Sequence, residues 1–235
     1  MTVSAPRTAR DRVREEMTAE ILAVAGEHLG REGAAALSLR SIARDLGMAP
    51  SALYRYFDGR DALLNALILA AYESLAETAE AAADDAKSLE APDAERFLVV
   101  PRAVRDWALG RPHEWGLIFG TPVPGYQAPE DTVVPYARIA AVMVRPVVEA
   151  NEAGRLQPAP GGDVTAELRD AVAPVSKGLL PGMPVAKVVR VVQAWTTLIG
   201  IVSLEVFGHW RNTIGDPATL FEATVRDVAA SIGLE

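Results

Sequence analysis

Leu37 to Leu64, LSLRSIARDLGMAPSALYRYFDGRDALL, is the stretch whose reading decides the fold. Ser38 is a good N-cap for a short helix that carries Leu39, Ile42, Ala43 and Leu46 and closes at Gly47. Pro50 suits the first turn of a second helix, where its missing N–H costs nothing, and Asp58-Gly59 breaks that helix. Leu39, Ile42, Ala43, Leu46, Met48, Leu53 and Phe57 are spaced to pack the pair onto a preceding helix. Arg40, Pro50, Ser51, Ala52, Arg55 and Tyr56 are left on the opposite side. A rigid second helix presenting small and polar groups from its N-terminal half is what a helix-turn-helix needs to enter a major groove. Arg40 suits a guanine edge or a phosphate, and Tyr54, Tyr56 and Arg60 suit phosphate oxygens.

Working outward, nearly every periodic segment reads as helix. Met17, Ile21, Leu22, Ala25 and Leu29 form one stripe of a helix over Asp11–Leu29. Arg60-Asp61 opens a longer helix to about Ala83, with Leu63, Leu64, Leu67, Ile68, Ala71 and Leu75 on its apolar side. Further helices are expected over Asp93–Gly110, Pro112–Gly120, Thr132–Gly154 (bent or restarted at Pro146), Val164–Leu179 and Val185–Trp210. Asp216-Pro217 supplies an N-cap and first-turn pair for a last helix to Ile232. Residues 121–130, TPVPGYQAPE, and 157–163, QPAPGGD, are loops by their proline and glycine content. No alternating strand pattern of useful length occurs. The expected class is all-α: an N-terminal arm at 1–10, a three-helix helix-turn-helix domain at 11–60, and a larger helical domain at 61–235.

Charge is unevenly placed. The chain carries −8 overall, yet residues 1–60 hold nine arginines against eight acids, and the −9 lies in 61–235. The cations of the first part are all arginine, the side chain best suited to bidentate contact with phosphate and guanine. Absent cysteine rules out disulfides and thiolate zinc sites. His28, His113 and His209 lack the spacing of a metal site, so no metal is expected. His28 reads as a surface residue at the end of the first helix. No cofactor loop is present, since the PVPG and APGG glycines lack a following lysine or strand. The polar N-terminus is no signal peptide, and no run of about eighteen apolar residues escapes a charge or proline. A cytoplasmic protein without a membrane span is expected.

Residues Leu22 to Leu64 resemble the DNA-binding domain of the tetracycline-repressor (TetR) family. The resemblance rests on Leu29-Gly30-Arg31-Glu32-Gly33, Leu37-Ser38-Leu39-Arg40-Ser41-Ile42-Ala43, Leu46-Gly47-Met48-Ala49, Leu53-Tyr54-Arg55-Tyr56-Phe57 and Arg60-Asp61-Ala62-Leu63-Leu64. Tyr56 stands where histidine is common and Arg60 where lysine is common. It implies a recognition helix at about Pro50–Phe57, with Arg40, Pro50, Ser51, Ala52 and Arg55 toward the groove and Tyr54, Tyr56 and Arg60 toward phosphate or buttressing the helix. His113 to Tyr126 is similar to a C-terminal sensing domain of an actinobacterial-type subset.

The resemblance further implies a homodimer made by the last two helices, a pseudo-palindromic double-stranded DNA operator, and release by a small apolar or aromatic effector. Val188, Val192, Ile199, Phe221, Val225 and Val228 are the expected interface residues. The competing reading is a long apolar helix interior to a monomer. Trp107, Trp115, Phe119, Tyr126, Met143 and Trp195 are candidates to line the effector cavity, against the alternative that they fill a core. Arg105 and His113 are candidate polar anchors. An enzyme is not expected, because no catalytic constellation is visible; a helical ligand-binding or interaction protein without DNA function is the alternative.

Overall fold

The computed structural model describes residues 8–88, 90–120, 132–158 and 164–234. Among them are ten α-helices and one 3-10 turn, and no strand. The class is all-α, with an N-terminal helix-turn-helix unit and a larger helical domain.

Helix α1 (Ala9–Glu32) begins two residues before the apolar stripe predicted, because its start is set by a cap. The Thr8 hydroxyl accepts from the Asp11 N–H at 3.2 Å, and the Asp11 carboxylate accepts from the Thr8 N–H at 3.1 Å. The Thr8 hydroxyl also donates to the Asp11 carboxylate at 2.7 Å, and this bond, with that from the Thr8 N–H, holds the carboxyl below the usual carboxylate range. A 3-10 turn (Ala34–Ala36) leads to α2 (Leu39–Asp45), then α3 (Pro50–Leu53) and α4 (Arg60–Lys87). Gly47 takes φ +65° in the turn between α2 and α3, a conformation that favours glycine. Ile21, Ile42, Leu53, Leu63 and Leu64, all fully buried, form the core of this first unit.

The boundary expected at residue 60 falls at the start of α4, a helix that both cores share. The 28 residues of α4 make a rod about 42 Å long. Leu63, Leu64, Leu67 and Ile68 belong to the first core, whereas Ala71, Leu75, Ala76 and Ala79 belong to the second. One helix therefore joins the two cores without a linker.

The second core is built by α5 (Asp93–Gly110), α6 (Pro112–Phe119), α7 (Val133–Glu152), α8 (Ala166–Gly178), α9 (Val185–Val206) and α10 (Pro217–Ile232). Pro146 does not restart α7, which runs through it. Helix α9 stops four residues short of Trp210, since Gly208 takes φ +73° and turns the chain. At α10 the Asp216 carboxylate accepts from the Thr219 N–H at 3.1 Å and Pro217 sits in the first turn, as expected.

Helix α9 is the one described helix long and apolar enough to cross a bilayer by composition. It packs here against α5, α6, α8 and α10. Lys187, 6% exposed, donates to the carbonyl of Ile232 at 2.7 Å and to that of Gln157, closing the C-terminus of α10.

Val188, Phe221, Val225 and Val228 are 0%, 1%, 1% and 7% exposed, inside the protomer's own core. The apolar stripes of α9 and α10 that carry them pack on each other and on α5 within the protomer. Val192 and Ile199 remain half-buried. The surface placement of His28 is corrected: it is 4% exposed, with Nε2 2.7 Å from Asp45 Oδ2, and so ties α1 to the end of α2.

Candidate nucleic-acid interface and effector cavity

The first unit presents one polar face over a closed apolar core. Arg40, Pro50, Ser51 and Arg55 are exposed, Ala52 and Tyr56 are half-buried, and Tyr54 is 50% exposed. The expected recognition helix to Phe57 is shorter. Regular α-helix ends at Leu53, and the turn continues with Arg55 and Tyr56 N–H groups bonding to Ala52 and Leu53 carbonyls. Leu53 and Phe57 anchor the two ends of this segment in the core.

The arginines divide by what surrounds them. Arg31 and Arg44 lie 3.8 Å from Asp45, whose carboxyl is held low chiefly by its hydrogen bond with His28. Arg60 donates to the Ala34 carbonyl at 2.8 Å and lies 3.5 Å from Asp61, so it clamps the 3-10 turn to α4. That structural task is not visible in the sequence. Arg14 stacks over the Tyr56 ring at 5.6 Å, a contact that joins α1 to the reading face and was not anticipated. Arg40 and Arg55 have no ion-pair or hydrogen-bond partner among the described residues.

The second domain holds a cavity of about 720 Å³ between α7, α8 and α9. Tyr136, Met143, Val144 and Val147 line it from α7, Pro174, Val175 and Leu179 from α8, and Val191, Trp195 and Leu198 from α9. Two of the expected residues, Met143 and Trp195, are there. Trp107 and Trp115 are not: both are core residues, 3% and 0% exposed, with indole N–H groups donating to Ser74 at 3.0 Å and Ser203 at 3.1 Å. Phe119 stacks on Trp115 instead of lining the cavity, and Tyr126 lies outside the described residues. Arg105 makes a two-pronged bond with Glu205 at 2.7 and 2.6 Å, away from the cavity. The aromatic count drew attention to the wrong residues, because the walls are mainly aliphatic. The signal for them is the run of Val144, Val147, Val191 and Leu198 at helical spacing beside a helix, α8, that has few large side chains of its own.

Aromatic rings connect this cavity to the reading unit. Trp195 meets Tyr136 edge-on at 5.8 Å, and its N–H donates to the Tyr136 hydroxyl at 2.9 Å. Tyr136 meets Tyr72 at 6.2 Å, Tyr72 meets Phe119 at 6.2 Å, and Phe119 packs on Trp115 at 4.5 Å. Phe119 and Trp115 belong to α6, which packs on α1. His113 of α6 lies so close to Gly30 of α1 that a Cβ there would sit 3.1 Å from its ring. His113 therefore serves the junction and not the cavity. A second cleft, about 600 Å³, opens beside it, with Leu29, His113, Leu117, Phe207 and His209 in its walls.

Residues 21–67 match the family of bacterial regulatory proteins, tetR family, and residues 97–228 match the tetracyclin repressor-like C-terminal domain. HTH-type transcriptional regulators of Mycobacterium tuberculosis (strain ATCC 25618 / H37Rv) and Mycobacterium bovis are each 37% identical over 228 residues, spanning 92% of this chain and 92% of theirs. The crystal structure of the regulatory protein SCO4313 superposes with a TM-score of 0.74 at 37% identity, over 96% of this chain and 100% of that one. FadR from Bacillus subtilis, solved in complex with stearoyl-CoA, shares the fold at 14% identity, with a TM-score of 0.64 over 91% of this chain and 98% of that one. The chain belongs to the TetR family of bacterial transcriptional regulators.

Proposed function

We propose that the protein is a cytoplasmic repressor that binds a pseudo-palindromic DNA operator as a homodimer and is released when a small apolar molecule fills the α7–α8–α9 cavity. The observation that carries this is the division of arginines: Arg40 and Arg55 stand unpaired on the face formed with Ser51 and Ala52, while Arg31, Arg44 and Arg60 are paired within the unit. Phosphate neutralisation needs such free cations, and base reading needs small neighbours that let the backbone approach. A two-fold dimer sets its two reading helices about 34–36 Å apart, one turn of DNA. The exposed sides of α9 and α10, with Thr197, Leu204 and Leu220, supply the surface for such a partner. The ring series from Trp195 to Trp115 supports coupling between cavity and reading head, and the complex of FadR with an acyl-coenzyme A supports an effector within this fold.

Footprinting on the intergenic DNA beside its own gene tests the reading. Protection of two half-sites about 10–10.5 base pairs apart, or a multiple of that, is expected, with affinity falling steeply as salt rises. Failure to protect any duplex at low salt would favour a helical ligand-binding protein without DNA function.

A further inference from the structure

The cavity of the second domain runs from a buried end to an exposed one, and is also exposed along α8 at Pro174 and Gly178. It follows α7 from Val133 to Val147, about 21 Å of helix. Its volume of about 720 Å³ extends along that length. The inner end is sealed by Phe97, Val147 and Ile232, which are 3%, 0% and 1% exposed. The outer end opens at Val133, 62% exposed, and at Tyr136, 37% exposed.

Polarity follows the same gradient. None of the lining side chains carries a charge, and the polar side-chain groups are the Tyr136 hydroxyl and the Trp195 indole, bonded to each other at the outer end. No lining side chain at the inner end donates to a carboxylate or phosphate, and the Lys187 ammonium behind Ile232 is already engaged by the Ile232 and Gln157 carbonyls. An anionic head is therefore confined to the mouth, where the Tyr136 phenol keeps its own O–H to donate. A long flexible chain gains from every methylene it buries along such walls, whereas a compact ligand of equal volume leaves one end empty.

The geometry points to an unbranched alkyl chain as the ligand, methyl end first between Phe97, Val147 and Ile232, its head at Tyr136 and Trp195. An acyl chain of membrane length reaches about 15 Å, half of a ~30 Å hydrocarbon core, and fits within the slot. The assignment rests on reading this cavity as the effector site. Its test measures binding without DNA, and operator binding by the same unliganded preparation shows separately whether the regulator reading stands.

Full-length protein is titrated with straight-chain alkanoates of about 8 to 18 carbons, below micellar concentrations, and binding is followed by tryptophan fluorescence and calorimetry. Affinity rises about fourfold per methylene, the ~0.8 kcal/mol of burying one CH₂, and levels off near about 16 carbons, where the slot is full. Ala140→Phe places a ring seven residues, about 10 Å, from the sealed end, so its plateau moves to about 8 carbons. Should that variant fold poorly, Ala137→Phe, at an exposed lining position near the mouth, weakens all long chains at least tenfold. Coenzyme A thioesters run in parallel separate two sources of the chain. Equal affinity means the head is unread, and tighter thioester binding means the mouth also holds the larger head; either supports the chain assignment. A flat dependence on chain length, absence of binding by every chain, or undiminished long-chain binding by both phenylalanine variants overturns it.

Discussion

Replacing Arg40 with alanine removes a cation that nothing in the protomer uses. Arg40 is exposed on α2 and lacks an ion-pair or hydrogen-bond partner among the described residues, so the fold should lose at most about 0.5 kcal/mol, as for other surface positions. A hydrogen bond to a charged group contributes about 1.5–3 kcal/mol. A two-fold dimer loses two of them, and about 3–6 kcal/mol corresponds to roughly 10²–10⁴-fold in Kd. Each lost phosphate contact also lowers the slope of log K against log salt by about 0.9, or about 1.8 for the dimer. If Arg40 reads a guanine edge instead, the slope changes less and the loss concentrates at one operator position. Fluorescence anisotropy with a labelled operator duplex between about 50 and 200 mM salt measures both quantities, and circular dichroism checks the fold. Arg44→Ala is the internal comparison, because Arg44 sits 3.8 Å from Asp45 and is partly neutralised there. A variant with unchanged Kd and unchanged slope would refute the assignment of this face.

Two further outcomes test the second domain and its connection to the first. Tyr72→Leu removes the ring between Phe119 and Tyr136 while keeping an apolar side chain on α4. Operator and cavity ligand should each bind it nearly as well as the parent, but their mutual effect, normally about 5–150-fold, should shrink. Ligand titrations with and without operator measure this, and undiminished coupling would remove the rings from the account. Burial pushes the Lys187 ammonium below its ordinary value. The unfolded chain therefore binds more protons than the folded one just below the ordinary lysine range, and stability rises with pH there. Lys187→Met abolishes that rise, so urea unfolding at pH about 8 and about 10 should show the parent gaining on the variant at the higher pH; a constant difference would contradict it.

Local rules sufficed wherever one signal set an element. Gly47, Pro50 and Asp58-Gly59 punctuate the reading unit, Ser38 takes the N-cap position of α2 although its side chain makes no cap bond there, and Asp216-Pro217 opens α10 where expected. Tertiary contacts decide the rest. Apolar periodicity marks Val188, Phe221, Val225 and Val228 as buried, but periodicity does not say whether a neighbour in the same chain or a second copy buries them. Imidazole at a helix end is usually exposed, and nothing local to His28 signals that its partner, Asp45, lies on another helix. The cavity was sought among aromatics, yet Trp107 and Trp115 are committed to Ser74 and Ser203, hydrogen bonds that no spacing along the chain announces. Arg60 suits phosphate contact or buttressing from its sequence position, and its buttressing partner, the Ala34 carbonyl, belongs to a turn 26 residues earlier.

On the proposed function, coupling between cavity and reading head would run through the elements that the two cores share. Helix α4 enters both, so any ligand that shifts α7 against α4 works on a rod whose first turns hold Leu63 and Leu64 in the reading unit. Tyr72 lies where α4 passes from one core to the other, and its hydroxyl donates to the Ile118 carbonyl of α6 at 3.4 Å. Helix α6 then meets α1 through His113 and Gly30. Two routes, one along α4 and one through α6, therefore converge on α1 and the α2–α3 face. Packed interiors shift between discrete arrangements more readily than they stretch. A ligand can favour one arrangement only by the difference in its affinity for the two, however tightly it binds. The residues that deserve substitution are thus those whose contacts differ between filled and empty cavities. Tyr136 and Trp195 are the first to test for that condition, since they line the cavity and also begin the ring series, which Phe97, Val147 and Ile232 do not join.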